Sequence, residues 1–558
     1  MPPLVPILLP LVVTAIVLSI AFSRWFPPPP PGLDLPPLRF SDATDESGLT
    51  FVHFAGRGDS PTTLGAGVAV IDFDRDGHPD LFFVNGTHWP WEEEFGESTS
   101  IPTSALFRND GSGRFTNVSR SAGVDLVVQG MSVAVGDYDR DGWPDLYLTA
   151  VGRNVLLRNR SDGTFVDVTE TAGIGGDEQT WSTGAAWIDA DGDGWLDLVV
   201  CQYVRWPREI ELELAFKIAG VGRSYGAPAG FVSVSPSLYR NTGDGRFVDV
   251  TDDAGLRNLD PQTGLPRALP LAVAPVDAND DGRLDLLLTF QTSDEVLFLN
   301  QGDGTFREWL PVTDRRREGA AAGLAATGAF SLAPDIRGGD RFEIMRTAMA
   351  DRRETSTADG AVNLNRKLGF VLWDYVLSGE PAVLLGQGQM EPEINWFEAG
   401  RQFGARPTVW TKRGERWLPV AESEPLALPE SLVVRGLAVG DFDGDGDEDI
   451  VLTQHGGRAR LWRNDQRSGA PWLRVKLQPT RSAPGAGGAQ VEVHTPRRVH
   501  VQTATGAVGL LAQSEPALTF GLGEDGRVSR VVVRWPGGAR QEVRPVTANQ
   551  TITVTEPH

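Results

Sequence analysis

Nine residues, Asp72-Phe73-Asp74-Arg75-Asp76-Gly77-His78-Pro79-Asp80, return four more times in the same register along this 558-residue chain. The copies run from Asp137 to Asp145, Asp189 to Asp197, Asp277 to Asp285 and Asp441 to Asp449. Positions 1, 3, 5 and 9 always carry a side-chain oxygen: Asp72, Asp74, Asp76 and Asp80; Asp137, Asp139, Asp141 and Asp145; Asp189, Asp191, Asp193 and Asp197; Asp277, Asn279, Asp281 and Asp285; Asp441, Asp443, Asp445 and Asp449. Position 6 is always glycine, which turns the backbone sharply at little steric cost. Oxygen ligands gathered on such a turn form a calcium loop. Carboxylates this close repel one another unless a cation joins them. Five divalent ions would bring the formal net charge from -23 to -13. Solvated Asp/Gly turns explain one such loop but not five in register, so about five Ca2+ sites are expected.

A helix-loop-helix calcium hand needs a bidentate Glu at position 12. Here that position is Phe83, Leu148, Val200, Leu288 or Leu452. The flanks, such as Gly67 to Ile71, Asp80 to Val84 and Asp197 to Cys201, are short apolar runs rich in β-branched and aromatic residues, so the loops join β-strands. A second phrase follows each loop, as in Leu156-Leu157-Arg158-Asn159, then Gly163-Thr164-Phe165-Val166-Asp167-Val168-Thr169. Each unit therefore reads as strand, acidic loop, strand, strand, glycine turn and outer strand, which is a four-stranded propeller blade.

The last unit, Leu461-Trp462-Arg463-Asn464, lacks its outer strand, while Phe40-Ser41-Asp42-Ala43-Thr44 stands alone near the start. A ring closed by that N-terminal strand explains both and removes an open sheet edge. Loop starts are 65, 52, 88 and 164 residues apart. The widest gap holds two strand-like stretches without acidic loops, Ala320 to Ala326 and Gly369 to Asp374 followed by Pro381 to Leu385. Five intact and two degenerate blades predict an all-β, seven-bladed propeller over 39–470. The stretch from Trp206 to Pro236 is expected to be a surface excursion. Alternation at Gln490 to Val493 and Thr551 to Val554 predicts a small β-rich domain over 471–556.

These repeats, together with Trp472 to Leu477, Gln513-Ser514, Leu518 to Gly523 and Val531 to Gly538, resemble the bacterial cartilage-acidic-protein-like family. The resemblance implies FG-GAP/VCBS-type repeats followed by an ASPIC/UnbV domain. Where relatives carry a polar Arg-Asp-Ala-Ile-Gly-like stretch and a Tyr near the Gln-Ser motif, this chain has Ala483 to Gly488 and Leu510-Leu511-Ala512.

Leu4 to Phe22 carries no charge over 19 residues, long enough as a helix to cross a bilayer. A transmembrane anchor at 1–26 is the expectation, with a signal segment cleaved near Ala21-Phe22-Ser23 as the alternative. Prolines at 27–31, 36 and 37 make 27–38 a stiff spacer. The membrane is thus an expected partner, and the propeller is expected outside the cytoplasm, or secreted if the segment is cleaved. A sequence pI near 4.8 disfavours nucleic acid. Cys201, the single cysteine, excludes an intrachain disulfide and reads as a core residue. The seven His form no zinc-like cluster, and His88, Trp89 and Trp91 are candidates for a rim pocket.

The function expected from these readings is a membrane-anchored calcium-binding module for adhesion or protein interaction, with a protein or glycan ligand that the sequence does not identify. A cyclase- or hydrolase-like enzyme and an assembly scaffold are the alternatives. No nucleophile-base pair supports the enzyme, and no catalytic residue is assigned.

Overall fold

Apolar runs of four to seven residues bounded by acidic or glycine turns pair with their sequence neighbours, and the result is all-β. A computed structural model describes residues 38–56, 65–89, 101–206, 217–218, 222–223, 231–257, 259, 264, 266, 269–290, 296–309, 367–388, 402–413, 416–420, 431–466, 468–505 and 511–558. Among them no helix is long and apolar enough to cross a membrane. The expected anchor, nearly all of the spacer, Trp91 and the run Ala320 to Ala326 lie outside the described residues.

Six antiparallel sheets of the same four-strand order follow one another. Sheet 1 holds Val68–Ile71, Asp80–Phe83, Ala105–Asn109 and Phe115–Asn117. Sheet 2 holds Gly130–Gly136, Asp145–Ala150, Val155–Asn159 and Phe165–Asp167; sheet 3 holds Thr180–Ile188, Asp197–Arg205, Ser237–Asn241 and Phe247–Asp249. Sheet 4 holds Pro270–Val276, Asp285–Phe290, Val296–Asn300 and Phe306–Trp309; sheet 5 holds Lys367–Trp373, Ala382–Gln387, Thr408–Arg413 and Arg416–Pro419. Sheet 6 takes Val434–Gly440, Asp449–Gln454 and Arg460–Asn464 from the end of the repeats and Phe40–Asp42 from the beginning.

That closing strand reproduces the register and the threonine bond of the outer strand of an ordinary unit. Phe40 pairs with Asn464 and Asp42 with Trp462, and the Thr44 hydroxyl accepts Leu461 N–H at 3.0 Å. Thr169 and Thr251 accept Leu156 and Leu238 N–H in the same way. Thr44→Val leaves a buried N–H unpaired, so we expect a loss of about 1–3 kcal/mol, measurable by urea denaturation. An unchanged midpoint would mean that the strand is not held by this contact.

The sheets pack face to face in a cycle. Ile71 and Phe82 meet Val133 and Leu146 between sheets 1 and 2. Tyr147 meets Trp187 and Leu198 between 2 and 3, and Val199 and Cys201 meet Val273 and Leu286 between 3 and 4. Val276 and Leu287 meet Phe370 and Val383 between 4 and 5. Sheets 5 and 6 close on glycine, where a Cβ on Gly369 would stand 3.2 Å from Arg435 O. Val451 and Leu461 then meet Val68 and Leu81 between 6 and 1. Burying each large side chain contributes about 1.5–3 kcal/mol, so these interfaces supply much of the hydrophobic core.

Sheet 4 packs directly on sheet 5, so among the described residues six sheets stand where seven blades are expected. Of the two degenerate stretches, the one at Gly369 to Leu385 is sheet 5. Its connection is a decayed acidic loop in the original register: Asp374 keeps position 1 and Gly379 position 6, and Gly379 N–H still bonds the Asp374 carboxylate.

The C-terminal region forms a three-stranded sheet of Leu518–Gly521, Trp472–Gln478 and Gln550–Thr555 and a four-stranded sheet of Val499–Thr503, Gln490–His494, Arg530–Arg534 and Arg540–Val543. Val475, Val491, Phe520, Val531 and Trp535 lie in their common core. One short strand, Ala512–Gln513, leaves this domain and pairs in parallel with Val68 and Ala69 of sheet 1.

Candidate metal centres and the domain docked on them

Each acidic loop is wound by its own carboxylates before any ligand is considered. Position 1 accepts the N–H of the position-6 glycine: Gly77 to Asp72 at 3.2 Å, Gly142 to Asp137 at 2.9 Å, Gly194 to Asp189 at 3.1 Å and Gly282 to Asp277 at 3.0 Å. Position 3 accepts the position-5 N–H, and position 5 accepts the position-7 N–H, in all five loops. Only glycine suits position 6 well, since its φ is +93° at Gly77 and +90° at Gly142.

Position 9 has a second job. Asp145 is fully buried; one of its oxygens accepts Asn159 N–H at 2.8 Å and the other Tyr138 N–H at 3.2 Å. Asp80, Asp197, Asp285 and Asp449 repeat the pair of bonds. The asparagine of the following phrase then crosses between sheets. Asn109 Nδ2 donates to Phe442 O, Asn159 to Phe73 O, Asn241 to Tyr138 O and Asn464 to Tyr375 O. The sequence displays this asparagine in the five units with an acidic loop, but its role is visible only once neighbouring sheets are in place.

Carboxylate oxygens of Asp72, Asp74 and Asp80 lie within 4.8 Å of one another, as do those of Asp137, Asp139 and Asp145, of Asp189, Asp191 and Asp197, and of Asp441, Asp443 and Asp445. Burial pushes Asp80 up to about 8, Asp145 to about 9, Asp197 and Asp285 to about 7, and Asp137, Asp189, Asp277 and Asp441 to about 6. Charge in such a place calls for a cation or a proton. Oδ1 of Asp72, Asp137 and Asp441 is buried with no hydrogen-bond partner, as expected for ligand atoms of a hard cation that binds oxygen. The residues therefore fit such an ion. The fourth loop differs: Asn279 donates to Asp281, which also pairs with Arg283. Arg108 bridges Asp74 and Asp76 at 2.6 and 2.9 Å, and Arg158 bridges Asp139 and Asp141 at 2.6 and 3.4 Å.

The fifth loop adds Asp447 at position 7, where the others have His78, Trp143, Trp195 and Arg283. Its Oδ1 is buried without a partner, and burial with the neighbouring Asp445 pushes it up to about 8. Asp447→Asn is expected to weaken ion binding at this loop about tenfold, the range seen when a charged ligand-shell group is removed, with the first three loops unaffected. Calorimetric titration showing no weakened site would reject a role for Asp447.

The C-terminal domain lies across these loops. Lys476 Nζ donates to Gly77 O at 3.3 Å. Arg140, stacked over Trp195, donates to Gly194 O at 3.0 Å and to Thr480 O at 3.3 Å. Gly488 packs on Gly282 O, and Trp472 covers Gly446. Arg474 is buried between Asp441 at 2.6 Å and Glu515 at 2.5 Å. From the same domain Gln513 makes paired bonds to the Val135 backbone, accepting its N–H at 2.8 Å and donating to its carbonyl at 3.0 Å. Ser514 Oγ accepts Val439 N–H at 3.1 Å, and Glu515 N–H donates to Val439 O at 3.0 Å. The 512–515 segment thus joins the first strands of sheets 1, 2 and 6.

At the opposite end of the sheets, Trp89 is buried with Trp181, Tyr203 and Trp206, so it is a core residue and not a rim group, while His88 packs on Phe54. His53 is buried there and His455 half-buried beside it, and loss of solvent holds them down at about 3 and about 2, leaving both neutral at physiological pH. The Cys201 thiol is buried and pushed well up. Val52, Ile101, Val127 and Val232 are large apolar side chains exposed in connections of this end.

Family models match this chain as ASPIC and UnbV over residues 479–558, as an FG-GAP-like repeat over 96–148 and 141–200, and as an FG-GAP repeat over 433–473. Cartilage acidic protein 1 of Xenopus tropicalis is 27% identical over 330 residues, 58% of this chain and 41% of that protein. Its Mus musculus counterpart is 36% identical over 125 residues, 22% of this chain and 19% of that protein. The chain thus spans less than half the length of these relatives. A solved Agrocybe aegerita lectin structure overlays with a TM-score of 0.32 at 14% identity, covering 72% of this chain and 82% of that one, too loosely to bear on fold or ligand.

Proposed function

For a chain that carries FG-GAP repeats and an ASPIC/UnbV domain and is homologous to cartilage acidic protein 1, we propose an extracellular binding or adhesion module built on a six-bladed, calcium-stabilised β-propeller. Calcium is the ion the loops suit, since it takes hard oxygen ligands in flexible number and is abundant outside cells. The propeller stands outside the cytoplasm, tethered by the apolar N-terminal segment or released when that segment is cleaved.

The observation that carries the reading is the covering of the acidic-loop end by the chain's own C-terminal domain. Partner contact falls to the opposite end, where the exposed Val52, Ile101 and Val127 favour a protein surface. A shallow groove there is lined by Thr50, Val52, Asn85, Thr103, Arg120 and Asp125. The test is an array of extracellular matrix and cell-surface proteins probed with the purified chain in calcium. The variant carrying Val52→Glu, Ile101→Glu and Val127→Glu is expected to keep its melting curve and to lose at least about tenfold in affinity. Partners held equally well by both proteins would remove the opposite end from the account.

A further inference from the structure

We propose that ion loading of the acidic loops and docking of the C-terminal domain are one coupled equilibrium, read through the glycine turns at position 6. The proposal rests on the calcium reading above. The domain touches the turn glycine in four of the five loops: Lys476 bonds Gly77 O, a Cβ on Gly194 would stand 3.0 Å from Arg481 O, Gly488 packs on Gly282 O, and Trp472 lies on Gly446. These backbones hold their shape only while the carboxylates around them stay gathered. Without a cation, like charges at this spacing repel and favour an opened turn, which no longer matches the docked surface.

The fifth loop carries the tightest link. Arg474 holds one oxygen of Asp441, while the other oxygen stays buried and unpartnered. The docked domain therefore fixes the orientation of a position-1 carboxylate. Glu515 binds Arg474 and also accepts Asp441 N–H at 3.2 Å, so the first residue of the loop is held from its backbone and its side chain together. The coupling is positive in sign: docking preorganises the loop, and the closed loop presents the docking surface. Linkage then requires that each strengthen the other by the same factor.

Hydrogen exchange of the full chain, with ion binding followed in parallel by calorimetric titration with calcium alone, tests this. On chelation below the melting temperature, amides of 511–515 and 472–478 are expected to lose protection at least about tenfold, while the core around Val273 and Leu286 keeps its own. Gln513→Ala with Ser514→Ala, which touches no loop carboxylate, is expected to weaken calcium at one or more sites about tenfold, within the usual range for coupled sites. Gly446→Ala drives a side chain into the Trp472 ring and is expected to expose the same amides with calcium bound elsewhere. Calcium binding with unchanged exchange at 511–515 would overturn the coupling and leave the calcium reading standing. Absence of any binding heat, together with no bound ion by elemental analysis, would overturn the calcium reading itself.

Discussion

Chelation is expected to lower the melting temperature of the calcium-loaded chain by roughly 10–20 °C. An ion bound by the native loops and not by the unfolded chain contributes about 1.4 kcal/mol per site at tenfold excess over Kd and about 2.7 at hundredfold. Across five loops that is ~7–14 kcal/mol, comparable with the whole stability of many domains. Scanning calorimetry with and without chelator reads it, and an unchanged curve after ion removal verified by elemental analysis rejects it. The pH dependence should reverse between the two forms. Without ions, Asp80, Asp145, Asp197 and Asp285 titrate at about 8, 9, 7 and 7 when folded, against 3.8 ordinarily. The folded state then holds protons that the unfolded chain releases, so stability is greatest at low pH and falls as pH rises from about 4 to about 9. The loaded form should do the opposite, because protons compete with the ion for the same oxygens.

The other large effect is expected at position 9. Asp145→Ala removes the acceptor for two buried N–H groups, Tyr138 and Asn159, each costing about 1–3 kcal/mol when left unpaired. A loss of ~4 kcal/mol is expected in urea titrations even in chelator, since these bonds need no ion. Asp141, at position 5 on the exposed side of the same loop, accepts only the exposed Trp143 N–H and an exposed Arg158 contact, so Asp141→Ala should cost much less than Asp145→Ala in chelator and show most of its loss when calcium is present. Equal losses from both variants in chelator would show that position 9 is not a structural latch.

Much of this was legible in the chain. Loop register, strand alternation and the orphan phrase Phe40 to Thr44 sufficed to predict the units and their closure, because a fixed pattern of turns and apolar runs restricts which strands can pair. The count was not, because an apolar run shows that a segment could be a strand without showing which strands stand beside it. Asp447 could have been found, being a fourth consecutive odd-position acid in its loop. Arg474, Gln513 and Glu515 could not. Gln513 meets Val135 across 378 residues, and no local pattern encodes a partner so distant. The Gln-Ser pair stands out as a motif in the sequence, yet its use is to leave its own domain and bond the backbone of another.

Closure by the first strand also sets an order of events during biosynthesis. Asp42 must wait for Arg460, which follows it by 418 residues, and Gln513 emerges later still. Until then the ring is an open arc whose last sheet lacks its edge, on a chain that we read as emerging outside the cell. Contacts so far apart in sequence are slow to form, and unpaired edges invite wrong partners. Each repeat can begin folding as it appears, but the finished ring and its seal wait for the last repeat and the domain after it, so a product truncated before Arg460 would leave the edge of that sheet unpaired.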